Sequence, residues 1–252
     1  MNETIVIQKR YVGPPSIGNG GYLAGLLAKE FNHAAQITLR KPIIIEIPLQ
    51  VKRLAMSGGP SGQSQWAASQ KTELYAEDTL IAEAIPHSLE MDIPQPPSVA
   101  DILAAQKLVD YGRFHPYPYC FVCGPKRKHG DGLRIFPVPI PGQELVAAVW
   151  EPDASLANGN GRIQPEYLWA ALDCPGGVAV VADNPRPVVL GRISGQVFSD
   201  IQVGERCVVI GWQLENNGRK HIVGTALFTE QGETIGYALS IWIEMNGMEA
   251  KS

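Results

Sequence analysis

Long apolar runs are missing from this chain, and that absence sets the first limit on what it does. No stretch approaches the ~20 consecutive apolar residues that a helix needs to cross a bilayer. The longest candidates, around Ile43 and Val178, are broken by proline, glycine or charge. The opening residues MNETIVIQKR have no basic region followed by an apolar one, so no secretory signal is read there and a cytoplasmic location is expected. A surplus of charge is lacking as well. Lys and Arg number 21 against 25 Asp and Glu, a formal net charge of -4, which provides neither a basic footprint for nucleic acid nor a polyanionic tail. Neither a membrane nor a nucleic acid is therefore expected as a partner.

Cysteine is also sparse, with four residues at 120, 123, 174 and 207. A chain of 252 residues, 45% of them hydrophobic, buries enough core to dispense with disulfides. Cys120 and Cys123 form a C-x-x-C, half of a zinc pattern, but by spacing neither Cys174 nor His129 completes one. The thiols are expected to be reduced and metal-free. Nothing in the composition points to a cofactor.

What is present is an echo between two halves. Pro94 to Pro97 and the segment Arg113-Phe-His-Pro-Tyr-Pro-Tyr119 bracket a short amphipathic stretch, Ala100 to Val109. This predicts a proline-rich linker with a small helix over 96–118, between units 1–95 and 119–252. Late in the first unit, Leu74 to Ala84 reads as strand, polar turn, strand, and Leu227 to Leu239 does so in the second. Each half has a β-branched run upstream, Ile43 to Val51 and Val188 to Val197, preceded by a helical stretch. Those stretches are Gly20 to Phe31, almost free of charge and so buried on most sides, and Pro165 to Leu172, with a proline at its first turn. One buried helix followed by long antiparallel strands implies a curved sheet wrapped around the helix, and two such units paired edge to edge remove the open sheet edge.

Three segments give this order a family likeness. Cys120-Phe-Val-Cys-Gly-Pro with Gly132-Leu-Arg-Ile is similar to the opening of acyl-CoA thioesterase-like hotdog domains. Leu168-Trp-Ala-Ala-Leu-Asp173-Cys-Pro-Gly-Gly resembles their central helix, and Ser16-Ile-Gly-Asn-Gly-Gly-Tyr-Leu resembles the start of one. The resemblance covers nearly all the chain outside the linker. It implies an α+β double hotdog, two repeats each with a central helix wrapped by an antiparallel sheet, and an acyl-CoA or similar thioester as substrate. A homodimer is a further possibility of that fold.

In the family, the site lies between paired helices, one giving N-terminal backbone N–H groups and the other a carboxylate. Unsatisfied N–H donors at a helix start suit the charge that develops on a thioester carbonyl oxygen. A carboxylate activates water or attacks directly. Asn19-Gly20-Gly21 falls on the family's His-Gly-Gly position, with Ala28 at the carboxylate position; Gln164-Pro165-Glu166 and Asp173 are the counterparts in the second half. Pro165 has no N–H to give. The resemblance therefore implies one composite site. Its catalytic residues are Asp173, Gly20 and Asn19, with Gly21, Lys126 and Arg127 binding substrate.

Simpler roles stand beside these. Asp173 could cap or pair where Pro175-Gly-Gly ends the helix, Asn19 is a natural N-cap, and Gly20 and Gly21 could serve close packing. Glu166 suits the first turn of a helix. Lys126-Arg-Lys-His129 reads either as a solvated turn or as a coenzyme A phosphate contact, for which Arg186, Arg192, Arg219 and Lys220 are weaker candidates. His115 faintly resembles a dehydratase histidine but falls in the linker. An enoyl-thioester hydratase or dehydratase is a second enzymatic reading, disfavoured because Asp153-Ala-Ser-Leu-Ala-Asn lacks the matching histidine. A module that binds acyl-CoA without turnover is the non-enzymatic one.

Overall fold

The computed structural model describes residues 3–55, 70–112 and 115–245. Arg113 and Phe114 of the proline-rich segment lie outside the described residues, as do 1–2, 56–69 and 246–252 of the expected halves. The first part of the chain supplies strands β1 (Thr4–Val6), β2 (Ala35–Leu39), β3 (Pro48–Ala55), β4 (Gln70–Ala76) and β5 (Thr79–Pro86). The later part supplies β6 (Val138–Pro139), β7 (Val146–Trp150), β8 (Val188–Val197), β9 (Cys207–Asn217), β10 (Lys220–Thr229) and β11 (Thr234–Glu244). Among the described residues these make one antiparallel sheet in the order β1-β3-β4-β5-β2-β8-β11-β10-β9-β7-β6.

The seam of that order is β2 against β8, with Ala35 opposite Gly195 and Thr38 opposite Arg192. Outward from it run β5, β4 and β3 on one side and β11, β10 and β9 on the other. Each flank is thus a hairpin whose second strand lies next to the seam strand. The hairpins are those expected from the sequence. β4 turns into β5 through Glu77 at φ 52, and β10 turns into β11 near Gly232 at φ 87.

Among the described residues four α-helices complete the fold: α1 (Gly20–Ala28), α2 (Val99–Gln106), α3 (Pro165–Ala171) and α4 (Cys174–Val181). Helix α1 stops three residues short of the expected Phe31, because Glu30 and Phe31 donate to Leu27 and Ala28 in i→i−3 turns. The expected strand from Ile43 begins only at Pro48; before it, Glu46 holds a positive φ of 62° and Gly18 takes the Ile43 carbonyl. The second central helix runs as two pieces. Pro175 has no N–H for the Ala171 carbonyl and its ring clashes there, so the ladder breaks at Leu172–Asp173. The freed Leu172 carbonyl accepts from the buried Thr225 hydroxyl at 2.7 Å.

Strand alternation in the second half feeds two cores. Cys207, Val209, Val223 and Leu227 face the helices, while Val208, Ile210, Ala226 and Phe228 face the other way. Helix α2 covers that outer face, burying Ile102 and Ala105. The stretch read as a linker is therefore docked on the second half of the sheet.

Candidate functional site

Helices α1 and α3 run antiparallel in close contact, and glycine makes this possible. A Cβ on Gly25 would lie 2.4 Å from Glu166 Cα, and one on Gly21 would lie 2.4 Å from Asp173 Cβ and 3.0 Å from Ala170 Cα. The i, i+4 spacing of Gly21 and Gly25 puts both on one helix face. At one end of the contact the start of α1 meets Asp173. At the other, Lys29 beyond the end of α1 forms an ion pair with Glu166 at 2.8 Å.

Asp173 is 2% exposed at the break between α3 and α4. Its Oδ2 accepts from the Gly21 N–H at 2.9 Å and from Asn19 Nδ2 at 3.1 Å. Its Oδ1 has no partner among the described residues. Burial pushes the Asp173 carboxyl up to about 7; the Gly21 and Asn19 hydrogen bonds pull it down, and neighbouring Cys120 adds to the rise. Asn19 works in two directions, because its Oδ1 also accepts from Tyr22 N at 2.8 Å and caps α1. Gly20 is the first residue of α1, and within the described residues its N–H meets no acceptor.

Asn19, Gly20 and Asp173 line one cavity of about 350 Å³, walled mainly by apolar groups such as Ile43, Leu190 and Trp242. Arg40 and Lys41 also border it. Arg40 is engaged by Glu83, whereas Lys41 makes no ion pair among the described residues. A second cavity of about 220 Å³ lies alongside, with Tyr117, Cys174, Val188 and Trp242 common to both linings. Gln164, Pro165 and Ala28 line neither cavity. Tyr22 of α1 stacks on both Tyr11 and Tyr167 nearby, with Tyr11 and Tyr22 ring centres 3.9 Å apart, the Tyr11 and Tyr167 hydroxyls 3.1 Å apart, and Phe121 edge-on to Tyr11 and Tyr22.

The structure thus gathers Asn19, Gly20, Gly21 and Asp173, but the N–H that touches the carboxylate is that of Gly21. Lys126 and Arg127 do not join them. Arg127 is buried and donates to the carbonyls of Tyr119 and Arg10 and to Asp131, pinning the loop to the N-terminal segment. Lys126 is exposed beside the Tyr119 ring. The basic residues at the cavity, Arg40 and Lys41, had no signal beyond two ordinary charges after a strand. Glu166 sits in the first turn of α3, where the dipole reading put it, but its partner is Lys29. Asp153 caps a short 3-10 turn through Ser155 N.

Cys174 stands apart from the C-x-x-C in sequence, and the fold brings it alongside. Cys174 follows Asp173 and lies against the C-x-x-C, with its sulfur 3.6 Å from that of Cys120. Hydrogen bonds from the Cys123 and Cys174 thiols hold Cys120 well below the ordinary thiol range and push both donors up.

No protein-family model matches the sequence, and no curated protein matches it. Solved structures do match by shape. A protein of unknown function with a hot dog fold from Alicyclobacillus acidocaldarius superposes with a TM-score of 0.60 at 11% identity, over 98% of this chain and 93% of its own. A proposed thioesterase from Novosphingobium aromaticivorans gives 0.63 at 10% identity, over 96% and 95%. The tesB protein of Mycobacterium avium subspecies paratuberculosis gives 0.58 at 12% identity, over 92% and 89%. At such identities the likeness is one of architecture, and that architecture is the hotdog fold.

Proposed function

We propose that this chain is two hotdog repeats joined by the α2 segment, and that it hydrolyses an acyl-CoA thioester at one composite site between their central helices. The observation that carries the reading is the placement of Asp173 across the helix pair from the start of α1, with both facing one apolar cavity. Asp173 supplies the nucleophilic step, through a water or by direct attack, and its free Oδ1 is the oxygen available for it. The thioester oxygen sits at the Gly20 N–H, a first-turn donor with the helix dipole behind it. Asn19 and the Gly21 N–H hold the carboxylate in place. Lys41, at the cavity border, meets the coenzyme A phosphates.

The second half-site has lost both parts, in keeping with Pro165 at the start of α3 and Ala28 in α1. The structural neighbour from Novosphingobium aromaticivorans, described as a proposed thioesterase, supports the chemistry by analogy of fold. The test is thiol release from acyl-CoAs of graded chain length by the wild type and Asp173→Asn. Asparagine keeps an oxygen for both hydrogen bonds but neither takes a proton nor attacks, so turnover should fall ~10²–10⁴-fold with the fold intact. If the wild type binds acyl-CoA without releasing thiol, and Asp173→Asn binds equally well, the carboxylate only ties the helices together and the chain is a binding module.

A further inference from the structure

We propose that Cys120, Cys123 and Cys174 together bind one thiophilic d¹⁰ cation, zinc(II) by preference, tying the Cys120 loop to the break between α3 and α4. The three sulfurs lie within 4.8 Å of one another, all in buried side chains. With Zn–S bonds of ~2.3 Å, a tetrahedral site sets its sulfurs ~3.8 Å apart. Cys120 and Cys174 are at 3.6 Å. Closing the set around an ion therefore needs shifts of about 1 Å or less by side chains alone.

The loop is shaped for the task. Gly124 N donates to the Cys120 carbonyl at 2.9 Å, turning the chain so that both cysteines point inward. A Cβ at Gly124 would sit 2.5 Å from that carbonyl oxygen, so only glycine fits. The third ligand comes from the other side of the core. Cys174 opens α4, and its sulfur meets the pair through tertiary packing alone. Zinc also needs a route in and a place for a fourth ligand. Cys120 and Cys174 line the cavity of Asp173, and Cys123 and Cys174 line the neighbouring one. A water from either side completes four-coordination. Binding exchanges three S–H protons, released to solvent, for three Zn–S bonds, with no change of oxidation state.

The role that follows is structural. The ion fixes Cys174, and with it the backbone turn that presents Asp173. This goes beyond the hydrolytic reading, and its test does not depend on turnover. Protein stripped by chelator and kept reduced is titrated with cobalt(II) alone. The proposal expects a thiolate-to-cobalt charge-transfer band and tetrahedral ligand-field bands that saturate at one equivalent, vanish on adding zinc, and persist in Cys207→Ser. Cys123→Ser and Cys174→Ser should each weaken cobalt binding at least tenfold. Zinc should also raise the melting temperature of the wild type, a readout that survives if a variant folds poorly. No charge-transfer band with equimolar cobalt overturns the proposal, and so does a band unchanged in both serine variants. A Cys120–Cys174 disulfide in protein purified under reducing conditions overturns it too.

Discussion

The sharpest test of the oxyanion role is a pair of changes at Gly20. The residue is the first of α1, follows Asn19 at φ -68 and ψ 130, and has an N–H with no acceptor among the described residues. Proline is at home at that position: its fixed φ suits the first helical residue, and an extended residue before it is what proline requires. Gly20→Pro thus removes the donor with little backbone cost. It also adds side-chain atoms, and a Cβ there would come within 2.8 Å of Leu190 Cδ2 and 3.0 Å of Leu39 Cδ1, both ends of flexible side chains. Gly20→Ala brings the same Cβ but keeps the N–H, so it is the control. Loss of one oxyanion donor costs ~10²–10³ in kcat, about 2.7–4 kcal/mol. The expected result in a thiol-release assay is a modest loss for Gly20→Ala and a further ~10²–10³-fold loss for Gly20→Pro, with melting temperatures of the two close together. Equal kcat for the two variants would refute the role of the Gly20 N–H.

Gly25→Ala should destabilise although alanine is the better helix former: ~1–3 kcal/mol of overpacking against the Glu166 backbone outweighs a gain of ~0.5–1 kcal/mol. At ~2–4 °C per kcal/mol the melting temperature should drop by several degrees, and a rise would show that the helices are not in this contact. Lys41→Ala should raise KM for acyl-CoA, more so at low salt, and leave KM unchanged for an acyl-pantetheine that lacks the nucleotide phosphates. Lys71 sits between Glu73 at 2.9 Å and Glu83 at 2.5 Å. Its hydrogen bond holds Glu73 below the ordinary carboxylate range; burial pulls Glu83 up, but Lys71 and Arg40 together hold it below that range as well. Their contribution to stability is present above the unfolded carboxylate value and is lost as pH falls through the depressed folded values, so the wild-type melting temperature should converge on that of Lys71→Met in acid. A gap between the two that stays constant from neutral pH to about pH 3 would show that the network does not couple to folding.

Much of this architecture was legible in one dimension, because it rests on local rules. The charge-poor run from Gly20, the proline opening α3, the β-branched run of β8 and both polar hairpin turns follow from periodicity and turn chemistry, which act over a few residues. Asp173 and Gly20 were singled out by another route, the resemblance of two short motifs to the central helices of hotdog domains. Some local signals were read too broadly. Ile43 to Ile47 has strand composition, yet Glu46 takes a left-handed conformation and the ladder starts at Pro48. Arg127 stood in a basic cluster, and its side chain instead satisfies carbonyls of a buried loop.

What sequence alone determined was therefore part of the set of elements, namely the two helices from Gly20 and Pro165, the α2 stretch, the β8 run and the two hairpins, and the suspicion attached to a few residues. Tertiary structure decided which groups meet. The Gly21 N–H rather than that of Gly20 grips Asp173, because the depth to which α1 settles on α3 is set by what Gly21 and Gly25 allow at Ala170 and Glu166. The strands assemble about a β2–β8 seam, so Lys41, just past the end of β2, comes to border the cavity of Asp173. Cys174 joins Cys120 and Cys123 across some fifty residues of sequence, since the proline break turns its sulfur toward their loop. Spacing rules describe neighbours along a chain, and close packing makes neighbours of distant residues. That is why the acid and the Asn19-Gly20-Gly21 turn could be assigned to one site from sequence, while the hydrogen bonds between them and the third thiol emerged only from the fold.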